Sequence, residues 1–398
     1  MTAASSDRAI DVLALNSGSS SLKFGLFRVG PAEVRTLVSG EIDSIGKPAS
    51  LMSATRADGG TQLSEAEPIA SQAAAVERIA RLLADWDTPP PAAIGHRIVH
   101  GGPRLRRHGL IDDDMLRTLD AATPFAPLHT PAALAVIRAA QARYPDLPQA
   151  ACFDTAFHAD MPDVARVLPI ARELRSEGVQ RFGFHGLSCE SIVAQLSDHL
   201  PERMIVAHLG GGASVTAIEY GRSVDTSMGL TPTGGVMMGT RSGDLDPGVL
   251  LYLMRERHLN AARLEDLVDR RSGLLGVSGL SSDVRDLEAA PANPDASLAI
   301  RMFGYMLRKE VAAMAAAMRG ADLIVFTGGI GENDAEIRQA ICEPLGFIGV
   351  NLDPARNRAA AHPITAPSSP CEVRVLPSQE DQQIARHTRA LVRAERRS

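Results

Sequence analysis

Apolar and polar positions along this chain change period several times, and the changes predict a mixed fold. Ile10 to Leu15 is an apolar run that ends in Asn16-Ser17-Gly18-Ser19-Ser20-Ser21, and a strand-like run follows from Leu22 to Val29. Two strands joined by small residues predict a hairpin. Val34 to Ile42 predicts a third strand. Residues 44–66 hold Gly, Pro, Ser and Ala with little periodicity and predict a surface excursion. Gln72 to Ala84 has helical spacing. Ala93 to Val99 predicts a strand closed by Gly101-Gly102-Pro103, and Asp112 to Ala121 and Pro131 to Arg143 predict helices, with Pro131 suited to a first turn. Residues 1–8 are polar and predict a frayed start.

The second half repeats the theme. Arg203 to Leu209 is an apolar strand that runs into Gly210-Gly211-Gly212, and Ala213 to Tyr220 returns with strand alternation. Helices follow near Leu250, near Ala262, over Ala296 to Arg319 and over Asp334 to Ile341. A strand from Asp322 to Phe326 enters a loop over Thr327 to Asn333, and a last helix covers Glu380 to Arg396. Each half thus begins with a strand, a Gly/Ser turn and a returning strand, which predicts an internal duplication. Strands and helices mixed over two halves predict an α/β class, with a cleft between domains as the place for a small ligand.

The chain has 398 residues, enough for two or three domains at about 150 residues each. A net charge of −6 supplies no basic surplus for a general nucleic-acid binder. No apolar segment is long enough for a membrane span, and no signal peptide is legible. The four cysteines, Cys152, Cys189, Cys342 and Cys371, form no CxxC pair, which argues against a zinc ribbon and fits a reducing, cytoplasmic setting. Lysine occurs only at positions 23, 47 and 309, so Lys23 beside the first Gly/Ser turn stands out as a compact positive charge.

Three small-residue loops each follow a strand: Asn16 to Ser21, Gly210 to Gly212, and Thr327 to Asn333. Such loops let backbone N–H groups approach a phosphate, though each alone is also an ordinary turn. There is no GxxxxGK[ST], no complete GxGxxG, no HExxH and no GxSxG, which excludes a P-loop, a dinucleotide fingerprint, a zinc protease and a nucleophile-elbow hydrolase. Arg97, His185 and Arg241 punctuate glycine-rich turns, and arginine makes forked bonds to carboxylate or phosphate. Asp154 ends a strand-like segment, where a carboxylate can orient a partner, take a proton or cap a helix. Asn16 and Glu380 are oxygen donors of the kind Mg²⁺ accepts.

Taken in order, Asn16 to Lys23, His96 to Gly102, Phe153 to His158, Arg181 to Gly186, His208 to Ser214, Gly239 to Asp244, Asp283 to Arg285 and Phe326 to Asn333 make the chain closely similar to the acetate kinase family over nearly its whole length. The resemblance implies two duplicated ribonuclease-H-like domains of the actin-like ATPase superfamily around a nucleotide cleft. It implies reversible phosphoryl transfer between ATP and acetate, giving acetyl phosphate and ADP, with Mg²⁺ or Mn²⁺ and a homodimer. Neither nucleic acid nor membrane enters as a partner.

Carried over residue by residue, the resemblance assigns Asn16 and Glu380 to the metal and Lys23 to the phosphate side. It assigns Arg97 to the carboxylate, Asp154 to the catalytic acidic position, and His185 and Arg241 to transition-state stabilisation. His208, Leu209, Gly210, Gly211, Gly212, Asp283, Val284, Arg285, Gly329, Ile330, Gly331, Glu332 and Asn333 fall in the nucleotide-binding segments. Val99, Leu128, Phe184 and Pro232 fall where the family builds its pocket for the acetate methyl. Gly211 stands where Asn is usual, and Val284 where Phe or Met is usual. The implied domains are residues 1–154, with helix 385–398 packing back on them, and residues 155–384. Propionate kinase is the near alternative, since one methylene changes discrimination by only ~1–3 kcal/mol. An actin-like or chaperone-like ATPase module is the remote one.

Overall fold

The computed structural model describes residues 8–18, 20–57, 59–60 and 62–397; the frayed start expected over residues 1–7, and Ser19 of the first Gly/Ser turn, lie outside them. The chain divides into two compact units. Unit 1 comprises Met1–Ala159 together with Gln379–Ser398, and unit 2 comprises Asp160–Ser378.

Unit 1 is built on strands β1 (Ile10–Ser17), β2 (Leu22–Val29), β3 (Val34–Asp43), β4 (Ser50–Arg56), β5 (Gln62–Glu67), β6 (Ala93–Ile98), β7 (Gly109–Leu110) and β8 (Gln149–Phe153), in the sheet order β5-β4-β3-β2-β1-β6-β8-β7. The strands β1, β2 and β3 form an antiparallel meander, whereas β6 lies parallel to β1 and β8 parallel to β6. Unit 2 carries β9 (Arg203–Leu209), β10 (Ala213–Glu219), β11 (Arg222–Thr226), β12 (Leu323–Thr327) and β13 (Glu372–Val375), in the order β11-β10-β9-β12-β13. Here too the first three strands are an antiparallel meander and the last two join in parallel. The order β3-β2-β1-β6-β8 is therefore repeated as β11-β10-β9-β12-β13, with the same directions at every pairing, and this is the expected duplication.

Burial explains why these segments are strands. From Val12 to Ser17 every residue of β1 is buried, as a strand covered on both faces must be. On one face, Leu13, Leu15, Phe24 and Leu26 pack with Ile79, Leu82 and Leu83 of helix Gln72–Asp85 and with Val136 and Ala140 of helix Thr130–Arg143. The other contact comes from the far end of the chain. Helix Glu380–Glu395 buries Ile384, Ala385, Thr388 and Val392 and packs on β1, β6 and β8. It approaches so closely that a Cβ at Gly95 of β6 would lie 2.6 Å from Ile384 Cγ2. In unit 2, helix Pro294–Ala317 starts at the Asn293 cap and lays Phe303, Leu307, Val311 and Met314 toward β9 and β10. Spacings of three and four place these on one face, and each contributes roughly 1.5–3 kcal/mol by leaving water.

Two local expectations are corrected. Residues 44–66 are not a loop: Ser50, Met52 and Ala54 of β4 point inward and alternate with exposed neighbours, so period-2 burial is carried by small or flexible side chains. Residues Gly328–Asn333 are not a loop either, but a short helix set on the end of β12. No described helix is long and apolar enough to cross a membrane, and all four cysteines are buried and unpaired with one another.

Candidate active site

Unit 1 gathers its polar residues where β1, β6 and β8 end. Asp154 follows β8 directly and its N–H donates to Ile98 O (2.9 Å) at the end of β6. That register puts Asp154 beside Arg97. The guanidinium Nε and Nη2 donate to the carboxylate at 3.0 and 2.6 Å, and the Asp154 side chain is 1% exposed against 17% for Arg97. Arg97 Nη1 also donates to Asn16 Oδ1 (3.1 Å). The Asn16 amide passes the contact on: its Nδ2 donates to Glu380 Oε2 (3.3 Å) and to Asp381 Oδ1 (3.0 Å). One row therefore runs Asp154, Arg97, Asn16, Glu380 and Asp381, drawn from sequence positions up to 365 apart.

Charge in this row is tuned by its own members. Burial works against the Arg97 cation, but Asp154 and then Glu380 outweigh it and hold the guanidinium charged. Burial pushes the Asp381 carboxyl above its usual range; the Asn16 hydrogen bond opposes this, the Glu380 charge adds to it, and Lys23 draws it back. Lys23 is exposed and faces Asn16 across the β1–β2 ladder. Asp154 is locked by three guanidinium contacts and thus holds Arg97 in place.

Unit 2 gathers its own set at the β9–β10 turn. His185 precedes helix Gly186–Gln195 with a left-handed backbone, φ 56° and ψ 26°. A non-glycine residue there costs ~1–3 kcal/mol and is characteristic of functional positions. Its Nδ1 is 2.9 Å from Ser214 Oγ, and its ring stacks on that of His208 with centroids 4.1 Å apart. Arg241 Nη1 donates to Pro232 O (3.2 Å). The imidazole and the guanidinium meet over Gly212. A Cβ at that glycine would lie 3.2 Å from His185 Nε2 and 3.5 Å from Arg241 Nη1. A methyl there would press on the imidazole and touch the guanidinium.

The remaining glycine-rich segments of unit 2 come to the same place. A Cβ at Gly210 would lie 4.0 Å from Gly329 N, and one at Gly239 would lie 3.0 Å from Ser282 O and 3.7 Å from Gly211 O. The stretches 208–212, 239–241, 282–285 and 328–333 thus adjoin one another, with Gly211, Gly329 and Asn333 exposed. Within them, Leu209 and Gly331 are buried, and Ile330 is half-buried. Asp283 caps helix Val284–Glu288 and binds the Arg285 guanidinium (Oδ1–Nε 3.0 Å), which lowers the Asp283 pKa, while Val284 is buried. The Glu332 carboxylate turns inward and accepts from Gly328 N (2.9 Å) and Ser378 N (3.0 Å). Asn333 Nδ2 donates to Gly329 O (2.9 Å).

Of the four apolar residues, Val99 is buried and Leu128 half-buried in unit 1, while in unit 2 Phe184 is buried and Pro232 lies beside Arg241. Sequence reasoning missed Asp381, Ser188, Ser214 and Arg338. The Glu380-Asp381 doublet is a signal for the first. Buried Arg338 donates to the carbonyls of Gly331 (2.9 Å) and Glu332 (3.0 Å), which holds the short helix from below, and nothing in its local sequence marks it.

In chemical terms, unit 1 offers a half-buried guanidinium and a carboxylate pair of hard oxygens, and the carboxylates suit a small divalent cation. Unit 2 offers an imidazole, a guanidinium and exposed backbone turns, a set that suits phosphate.

The Acetokinase family model matches residues 11–386. An acetate kinase of Methylocella silvestris is 43% identical, covering 96% of this chain and 98% of its own. The crystal structure of Porphyromonas gingivalis acetate kinase superposes with a TM-score of 0.86 at 37% identity, covering 96% of this chain and 100% of its own. A propionate kinase from Francisella tularensis gives 0.89 at 35% identity, with the same coverage.

Proposed function

The chain belongs to the acetokinase family, and we propose that it moves a phosphoryl group reversibly between ATP and acetate, giving acetyl phosphate and ADP by direct in-line transfer. It is a phosphotransferase with a carboxyl group as acceptor. The observation that carries the reading is the meeting of His185 Nε2 and Arg241 Nη1 over Gly212.

A carboxylate is already ionised at neutral pH, so the nucleophile needs no base. The barrier is the approach of two anions and the charge spread over the moving phosphoryl group. In this reading Arg97 holds the acetate carboxylate, and Asp154 fixes Arg97. His185 and Arg241 stabilise the charge on the phosphoryl oxygens, and Lys23 adds positive charge on the phosphate side. Stretches 208–212, 283–285 and 329–333 hold the nucleotide. Glu380, with Asp381 beside it and Asn16 orienting both, would hold Mg²⁺ or Mn²⁺. When bound, the ion offsets phosphate charge. Val99, Leu128, Phe184 and Pro232 are the apolar groups assigned to the acetate methyl.

A homodimer is supported by the apolar surface of helix Pro247–Glu256, where Val249, Leu251, Tyr252 and Met254 are all exposed. A cytoplasmic setting is supported by four cysteines that pair with none of their kind.

The test is formation of acetyl hydroxamate from ATP, acetate and hydroxylamine. Arg241→Ala should lower turnover on the order of 10³-fold. ATP hydrolysis without acetate dependence would favour an ATPase module instead. Comparing kcat/KM for acetate, propionate and butyrate decides between acetate and the propionate kinase alternative.

A further inference from the structure

The strained His185 and its stacked partner His208 are held by side chains that no phosphate contact requires. Ser188, fully buried in the first turn of helix Gly186–Gln195, lies with its Oγ 2.8 Å from His208 Nδ1. Its Oγ also accepts from Ser378 Oγ at 3.0 Å. Ser378 is fixed in turn, because its N–H donates to Glu332 Oε1, the same oxygen that holds Gly328 N. A single row thus leads from the 328–333 segment through Ser378 and Ser188 to His208, whose ring lies on His185 at an interplanar angle of 25°.

A hydroxyl has one proton to give. If Ser188 accepts from Ser378, its own proton goes to His208 Nδ1. That nitrogen is then an acceptor, and the neutral imidazole carries its proton on Nε2. A Cβ at Gly210 would lie 3.7 Å from His208 Nε2, so this nitrogen is directed at the glycine turn of the phosphate set. We propose that Ser188 is a positioning residue for the phosphoryl transfer: by donating to His208 Nδ1 it fixes the Nε2–H tautomer, which aims a donor at the 210–212 turn and holds the ring as the platform on which His185 rests. The inference rests on the functional reading of His185 and Arg241 given above. Through Glu332, it also ties that platform to the segment assigned to the nucleotide.

The experiment is Ser188→Ala in the full chain, read by the ¹⁵N shifts of the His208 imidazole and by steady-state kinetics with ATP and acetate. We expect the wild type to show the Nε2–H pattern and the variant to lose it, with kcat reduced about tenfold, which corresponds to ~1.4 kcal/mol, and with the KM for acetate unchanged. Ser378→Ala leaves Ser188 in place but removes its donor, so it should weaken the tautomer bias and lower kcat about threefold. It decides the matter should Ser188→Ala fail to fold. An unchanged imidazole pattern in the folded variants, or a lost pattern with an unchanged kcat, overturns the proposal. A wild-type protein that makes no acetyl phosphate would instead overturn the underlying functional reading, while the imidazole spectrum still tests the tautomer.

Discussion

The Arg97–Asp154 pair should be strongly coupled in stability as well as in activity. Its carboxylate is 1% exposed and takes guanidinium contacts at 3.1, 3.0 and 2.6 Å. Arg97→Met removes the cation and strands a buried charge, which costs ~3–5 kcal/mol. Asp154→Asn leaves the guanidinium with only Asn16 Oδ1 and the charges of Glu380 and Asp381, since an amide presents one acceptor and sets its NH₂ against the Arg97 donors. In Arg97→Met/Asp154→Asn neither charge remains, so the double variant should be more stable than the sum of the single losses predicts, with a coupling of at least ~2 kcal/mol. The sign of the pH dependence follows. In Arg97→Met the abandoned Asp154 carboxyl holds its proton more tightly folded than unfolded, so stability should fall as pH rises from about 4 upward. Urea denaturation of the three variants at pH 5 and pH 8 reads both effects. All three should also have lost acetyl phosphate synthesis. Additive losses within ~0.5 kcal/mol, or an Arg97→Met stability indifferent to pH, would refute the reasoning.

Three other outcomes are expected. Gly212→Ala should keep its stability but lose at least about tenfold in kcat, because its methyl would intrude 3.2 Å from His185 Nε2; an undiminished kcat would mean the two cations do not act there. Mg²⁺ should raise the Tm of the wild type, and Asp381→Asn should abolish that rise. Without metal it should be the more stable protein at neutral pH, since burial raises the Asp381 pKa and that carboxyl loses stability as pH climbs through it; scanning fluorimetry with and without Mg²⁺ checks both. Tyr252→Arg, placed on the exposed apolar helix, should shift sedimentation from dimer to monomer, and a mass unaffected by it would argue against that face.

The fold was largely legible where turn chemistry was strong. The β1–β2 and β9–β10 hairpins were marked by runs of small residues between apolar strands, and their half-chain separation revealed the duplication that the sheet orders display. Strand β4 was hidden because its inward positions, Ser50, Met52 and Ala54, offer little hydrophobic contrast with their neighbours. Helix Gly328–Asn333 was hidden by its glycines, whose low helix propensity is overcome by Glu332 gripping Gly328 N and Arg338 gripping the carbonyls of residues 331 and 332. In the site, Arg97, Asp154, His185 and Arg241 stood out singly by type and setting. Their pairings did not, because Arg97 meets Asp154 across 57 residues and Asn16 meets Asp381 across 365. Ser188 carries no local mark, since its meaning comes from a histidine on another element.

Unit 1 takes its first 159 residues from one end of the chain and its last 20 from the other. Helix Glu380–Glu395 supplies two of the row's three carboxylates, Glu380 and Asp381, and the layer over β6, where Ile384 and Thr388 fill the space above Gly95. During synthesis, the amino-terminal sheet must therefore wait with one face bare until residues 380–395 have been made. A stop just after Ser378, which spares all of unit 2, removes Glu380, Asp381 and the whole layer over β6.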